Sequence, residues 1–268
     1  MKMSAWLCAL ALSVGVCPMS FGQVTGKVTL TGKIPDMPEI TAIKSNPQCA
    51  ALHKDPVYEE KVVAGEKGEL ANVVIYIKTP EGKSLGKVPT EPAVLDQKGC
   101  LYSPHVIGVM VGQAFEVKNS DPFLHNVHSL SIDNTAFNVG QPTVGVKKFE
   151  PFKAAEQFMV KCDVHPWMKA YIVVVDNPYF AATSAEEKNM GKYSINTKDL
   201  PDGEYTFVAW HEAYGSQEKK AKVTGGKAEL DFTFNADKKS EAKPVKEIHL
   251  AMADEAPCCE PAAVVAKK

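Results

Sequence analysis

Residues 160–175, VKCDVHPWMKAYIVVV, place three soft metal donors on one short segment that then runs into a strongly β-prone stretch. The donors are Cys162, His165 and Met168, which follow one another at three-residue steps. A thiolate, an imidazole and a thioether lack only a second imidazole to complete the His2Cys set, with a weak axial Met, that holds copper for electron transfer. The spacing therefore predicts most of a mononuclear copper site on a loop between two strands.

The second imidazole is predicted to come from residues 121–128, DPFLHNVH, which contain two histidines. We expect His125 to be the ligand, and His128 to be either a structural neighbour or the alternative ligand. Asn126 is expected to hydrogen-bond across to the cysteine loop as a support for the ligands. Pro166 is expected to stiffen that loop, because proline fixes its own φ and has no N–H. A buried free thiol beside surface histidines is the competing interpretation.

Two motifs, HNVH at residues 125–128 and CDVHPWM at residues 162–168, resemble the cupredoxins, and most of all the amicyanin- and plastocyanin-like blue copper proteins. The resemblance covers roughly residues 107–176 and implies a Greek-key β-sandwich. It also implies one type 1 copper ion per chain, held at the matching positions by His125, Cys162, His165 and Met168. The family has proline before the second histidine, whereas this chain has Val164, whose N–H could donate to the Cys162 sulfur.

The first 22 residues are typical of a secretory signal peptide, with Lys2, an apolar run over residues 5–17 and a small-x-small cleavage pattern over residues 20–22. The apolar run is too short to span a membrane, and no later stretch is long enough to do so. We therefore predict an exported protein of the periplasm or cell envelope.

Export would also affect the oxidation state of the seven cysteines of the chain. Cysteines in an oxidising compartment pair unless another ligand claims them. We expect a disulfide between Cys49 and Cys100, and we leave open the state of Cys258 and Cys259. Cys162 then remains available as a thiolate for a metal.

Short runs of alternating or continuous apolar residues, separated by turn signals, predict an all-β protein. We expect a cupredoxin-like domain over residues 23–176, followed by a small β-sandwich over residues 177–235. The second unit resembles the carboxypeptidase-regulatory-like modules. Residues 236–268 are polar, charged and without a period, which predicts a disordered tail.

These features predict an exported carrier of single electrons and not an enzyme. A net charge of -2 argues against nucleic acid as a partner. The seven scattered histidines do not supply the further copper clusters that copper oxidases and nitrite reductases need. Redox partner proteins are expected to dock weakly and transiently near His165 and Trp167, with His165 close to the surface as the electron port. The alternatives are a periplasmic protein for copper delivery or storage, and an interaction module of the envelope.

Overall fold

The computed structural model describes residues 22–80 and 83–238. The predicted signal peptide, apart from Gly22, lies outside the described residues, as does nearly all of the predicted tail, including Cys258 and Cys259. Within the described ranges, no helix combines the length and the apolar character that crossing a membrane requires.

Strands account for 46% of the structure and helices for 6%, which confirms the predicted all-β class. The helical turns are α1 (Pro47–Ala50) and two 3-10 helices, Thr41–Ser45 and Glu187–Asn189. The strands of the described residues are β1 (Gln23–Thr31), β2 (Val74–Ile77), β3 (Ala93–Gln97), β4 (Tyr102–Ser103), β5 (Val106–Met110), β6 (Phe115–Asn119), β7 (His125–Ser129), β8 (Asn138–Gln141), β9 (Gly145–Phe149), β10 (Glu156–Lys161), β11 (Lys169–Val175), β12 (Phe180–Ala182), β13 (Lys192–Asn196), β14 (Gly203–His211), β15 (Gly215–Val223), β16 (Ala228–Glu229) and β17 (Phe232–Asn235).

The first sandwich contains all four predicted ligands. One of its sheets has the strand order β5-β11-β10-β7-β8 and the other has the order β4-β3-β6-β9. Strands β5 and β11 pair in parallel, as do β3 and β6, whereas the remaining pairs are antiparallel. One apolar core lies between the sheets and includes Phe115, Phe158 and Ile172, all fully buried. This topology is the predicted cupredoxin-like sandwich.

Strand pairing brings the two ligand segments to the same end of the sheet. Strands β10 and β11 form a hairpin, so the loop over residues 162–168 lies at its tip. Strand β7 pairs with β10 antiparallel, with Lys161 opposite His128. Because β7 begins at His125 and β10 ends just before Cys162, both ligands lie at this one end.

The second sandwich is built differently from the prediction, because it takes strands from both ends of the described chain. Strand β1 pairs with β13, β16 and β17, and β2 pairs with β12 and β14. Apolar residues of β1, such as Val24 and Val28, are buried in a core shared with Ile195 and Phe232. Strands β1 and β2, which the expected cupredoxin boundaries of 23–176 include, pair within the sheets of the second sandwich. Alternation of apolar and polar residues predicts that a segment forms a strand, but it does not predict which other strand pairs with that segment.

A small apolar cluster joins the two sandwiches. Val74 and Trp210 of the second sandwich pack in it with Val106, Val173 and Val175 of the first. All five side chains are buried. The cluster holds strands β5 and β11 of the first sandwich against β2 and β14.

The predicted disulfide ties an irregular segment onto the first sandwich. Cys49 in α1 is bonded to Cys100, with the two Cα atoms 5.7 Å apart, which confirms the expected pairing. Asn46 caps α1, and its side chain accepts hydrogen bonds from the backbone N–H groups of Gln48 and Cys49. The disulfide and the cap together hold residues 41–51 beside the ligand loop.

Candidate metal centre

The loop over residues 162–168 is closed by two backbone hydrogen bonds. The N–H of Met168 donates to the carbonyl of His165 at 2.9 Å, and the N–H of Cys162 donates to the carbonyl of Met168 at 3.1 Å. These bonds fold the segment into a compact turn on the β10–β11 hairpin. Cys162 and Met168 are both buried in the core of the first sandwich.

Three of the predicted ligands converge at the end of the sheet. The Nδ1 atoms of His125 and His165 are 3.0 Å apart. The Cys162 sulfur lies 3.8 Å from the Nδ1 of His165. One donor atom from each of the three residues lies within 4.8 Å of the others, and all three residues are buried. Met168 follows on the same loop, fully buried.

These separations fit a single bound ion. Two nitrogens that are each about 2 Å from one ion can be no more than about 4 Å apart, and a sulfur about 2.3 Å from it can be about 4.3 Å from either nitrogen. The observed separations of 3.0 Å and 3.8 Å lie inside both limits. A thiolate and two imidazoles, with a thioether on the same loop, are the donor chemistry that suits copper.

Asp121, which was not predicted from the sequence, supports the first histidine. Its Oδ2 atom lies 2.8 Å from the Nε2 of His125 and also accepts the N–H of Cys100 at 2.9 Å. Its Oδ1 atom accepts the N–H of Gly99 at 2.9 Å. A carboxylate on Nε2 keeps the proton of His125 there and leaves Nδ1 free for a metal. The only sequence signal was an acidic residue four positions before the ligand.

The Cys162 sulfur is held by Asn126, in the supporting role that the sequence predicted. The backbone N–H of Asn126 lies 3.4 Å from the sulfur. Its side-chain Oδ1 accepts the N–H of Asp163 at 2.6 Å, which ties the start of β7 to the ligand loop. Within the described residues, no hydrogen bond joins the N–H of Val164 to the sulfur. The donor to the sulfur is instead the backbone N–H of Asn126.

His165 is not at the surface, contrary to expectation, because residues 41–51 cover it. Its exposed fraction is 2%. The Nδ2 of Asn46 lies 3.2 Å from its Nε2, and the Trp167 ring centroid lies 5.2 Å from that of His165. Burial lowers the pKa of His165 and the nearby His125 lowers it further, against an opposing effect of Asp121. The neutral imidazole that a metal requires is therefore favoured.

The hydrogen bonds around His165 also define its tautomer. Because the Oδ1 of Asn46 accepts the N–H groups of Gln48 and Cys49, its Nδ2 faces His165 as a donor. His165 then carries its proton on Nδ1, directed at the Nδ1 of His125. Binding a metal through Nδ1 requires this proton on Nε2 instead. Asn46 is consequently the group that has to adjust when the site is filled.

The other histidines lie outside this group of donors. His128 forms an ion pair with Asp163, with Nδ1 2.9 Å from a carboxylate oxygen, and its side chain is partly exposed. The Nε2 of His53 contacts the carbonyl of Gly99 at 2.7 Å. His105 pairs with Glu212 of the second sandwich. Pro166 lies on the loop beside a cavity described below.

Comparison with known proteins gives partial structural likenesses. No protein-family model matches the chain, and no curated protein matches it. A purple cupredoxin from Nitrosopumilus maritimus is similar over 31% of this chain and 99% of its own, with 21% identity and a TM-score of 0.27. A Cu(I) amicyanin mutant is similar over 38% of this chain and 98% of its own, with 20% identity and a TM-score of 0.29.

A Cu-containing nitrite reductase from Thermus scotoductus is similar over 37% of this chain, with 20% identity and a TM-score of 0.29. The chain spans only 25% of that reductase. The likenesses therefore concern about two fifths of this chain or less. The fold of the first sandwich is cupredoxin-like by its strand topology, and no particular family of copper proteins is singled out.

Proposed function

We propose that this protein is an exported carrier of single electrons that binds one type 1 copper ion through His125, Cys162 and His165, with Met168 as the weak axial ligand. The observation that carries the proposal is the convergence of one thiolate and two imidazole nitrogens in a buried site. When bound, copper supplies a one-electron Cu(II)/Cu(I) couple. The supporting hydrogen bonds of Asp121 and Asn126 hold the donors in place, which limits rearrangement on electron transfer.

Export is supported by the disulfide between Cys49 and Cys100, because structural disulfides form and persist in oxidising compartments. Among the described residues, Cys162 is the cysteine that remains free. This is the arrangement expected when one thiolate serves a metal and its neighbours pair. These features support our proposal that the protein resides in the periplasm or cell envelope.

Weak redox partners would approach the face formed by Leu124 and Val164. Each directly precedes a proposed copper ligand in sequence, His125 or His165, and each has an exposed fraction of 45%. Exposed aliphatic side chains around a redox centre suit a short-lived contact. Copper delivery or storage is disfavoured, because a buried site under a covering segment does not release its ion easily.

The test is titration of the protein with Cu(II), followed by visible and electron paramagnetic resonance spectra. We expect an intense thiolate-to-copper band that saturates at one equivalent and is absent in Cys162→Ser. His128→Gln is the matched control, because His128 lies near the site but pairs with Asp163, and it should retain the band. A weak band that is insensitive to Cys162→Ser would overturn the proposal.

A further inference from the structure

A cavity of about 630 Å³ lies beside the ligand loop, between the two sandwiches. Its lining includes Pro166 and Trp167 of the loop, His105 and Tyr171 of the first sandwich, and Glu212 of the second. This volume is within the range of about 300–1,000 Å³ that is usual for small-molecule sites. The cavity is distinct from the metal centre, since none of the three converging donors lines it.

The cavity combines flat apolar walls with a buried polar end. Tyr58 and Trp167 are among its aromatic walls. At the polar end, His105 pairs with Glu212, and their side chains are only 10% and 5% exposed. Burial by itself would lower the pKa of His105, but Glu212 and then Glu60 outweigh it and raise the pKa. Burial raises the pKa of Glu60, against the opposing charge of His105.

Charge does not select an ionic ligand here. The lining carboxylates are those of Glu59, Glu60 and Glu212. They are matched by two lysines, Lys61 and Lys169, and by the histidine paired with Glu212. A neutral, flat molecule with hydroxyl groups fits this lining best, because its ring packs on the aromatic walls and its hydroxyls meet the buried polar groups.

Trp167 connects this cavity to the metal centre. Its indole ring lines the cavity and is also 5.2 Å, centroid to centroid, from the ring of His165. The indole N–H donates to the carbonyl of Cys100 at 3.0 Å, which fixes the ring in this position. A molecule that packs on Trp167 in the cavity is therefore separated from His165 by one aromatic ring.

We propose that the cavity binds a small dihydroxyaromatic reductant of the hydroquinone class, which passes one electron through Trp167 and His165 to the oxidised copper site. The inference rests on the proposed function, because it needs Cu(II) as the oxidant. In each step one O–H bond of the reductant would break, its proton would go to the Glu60 carboxylate, and its electron would go to the copper site, for which bound Cu(II) would supply the one-electron oxidant. After Glu60 has released the first proton to solvent and the redox partner has reoxidised the copper, the aryloxyl radical would give up its second proton to Glu60 and its second electron to the copper site, and the quinone would leave.

The test has two readouts, and the first does not need copper. Calorimetric titration of the metal-free protein with hydroquinone measures binding, and stopped-flow loss of the visible band measures reduction of the copper-loaded protein. We expect one binding site and a reduction rate that saturates with hydroquinone concentration. Leu130→Trp fills the cavity and should weaken binding and lower the saturating rate at least tenfold. Ile132→Trp, at a side chain that is 53% exposed and outside the lining, should change neither.

Two further variants keep the test decisive. Tyr58→Ala removes a wall at a residue that is 47% exposed, so it should weaken binding even if Leu130→Trp does not fold. Glu60→Gln should bind hydroquinone within threefold of the original protein but reduce copper about tenfold more slowly or worse, because the proton acceptor is lost. A reduction rate that rises linearly with concentration and is equal in all variants would overturn the proposal. Failure to bind copper would remove the proposed function, whereas failure of the metal-free titration would remove the cavity site alone.

Discussion

Replacing Asp121 with asparagine should weaken copper binding, although Asp121 does not touch the metal position. The aspartate is 4% exposed and accepts three hydrogen bonds, from Gly99, Cys100 and His125. Asparagine has the same shape but only one acceptor oxygen. If that oxygen takes the place of Oδ2, it keeps Cys100 and His125, and the amide group then faces the N–H of Gly99. The variant therefore loses one hydrogen bond and the negative charge on His125.

The magnitude follows from these two losses. A hydrogen bond to a charged group contributes about 1.5–3 kcal/mol, and we expect the free energy of unfolding of the metal-free protein to fall by about that amount. Loss of a carboxylate behind a metal-bound histidine typically weakens metal affinity about 10–100-fold. This range corresponds to about 1.4–2.7 kcal/mol in binding free energy.

Two measurements test this prediction. Competition with a Cu(I) chelator gives the copper affinity, and denaturant unfolding of the metal-free protein gives the stability. Asp133→Asn is the matched control, because Asp133 is exposed and should leave both quantities unchanged. A folded Asp121→Asn protein with unaltered copper affinity would refute the assigned role of the carboxylate.

Three other changes probe the surroundings of the site and the second sandwich. Asn46→Asp keeps an oxygen to cap α1 and offers a second oxygen to the Nε2 proton of His165. Copper affinity, measured by chelator competition, should therefore rise about tenfold. An affinity equal to or below that of the original protein would contradict the assigned tautomer. Removing the disulfide with Cys49→Ala and Cys100→Ala frees a loop with a sequence separation of 51, which should lower the free energy of unfolding by about 4 kcal/mol in denaturant titration. A loss below about 1 kcal/mol would show that residues 41–51 are held mainly by packing. Burial, with smaller effects of His105 and Lys61, lowers the pKa of His211 from 6.5 to about 3. The unfolded chain therefore binds one more proton between these values, and stability is full above pH 6.5 and falls with decreasing pH by about 1.4 kcal/mol per unit. His211→Gln should flatten this slope in unfolding measured from pH 7 to 4, and an unchanged slope would assign the acid sensitivity to other groups.

The local features of the first sandwich could be predicted from the sequence because each depends on neighbouring residues. The β-prone run after Met168 and the turn-forming residues around Pro166 are local properties of the chain. They correctly indicated a strand–loop–strand unit, observed as β10 and β11 with the donors between them. The disulfide was predicted by cysteine number and compartment, and is present in the structure.

Other features depended on which distant segments meet. Apolar and polar residues alternate along β1, which is the pattern of a half-buried strand, but its partners β13 and β17 lie far away along the chain. A two-residue alternation is satisfied by either sandwich, so only the complementary apolar faces of the folded sheets decide which core receives Val24 and Val28.

The candidate site likewise combines features that local sequence determines with contacts that only the folded chain determines. Residue types and spacing by themselves determined the set of soft donors on one loop, because ligand chemistry is a property of single side chains. Only the tertiary structure decided that Asp121 supports His125, that Asn46 covers His165, and that a cavity lies behind Trp167. Asp121 lies only four residues before His125, but its carboxylate is fixed by the N–H groups of Gly99 and Cys100 on a distant segment. The contact of Asn46 and the lining of the cavity join segments that are far apart along the chain. Their approach is set by sheet packing and by the disulfide and not by local sequence.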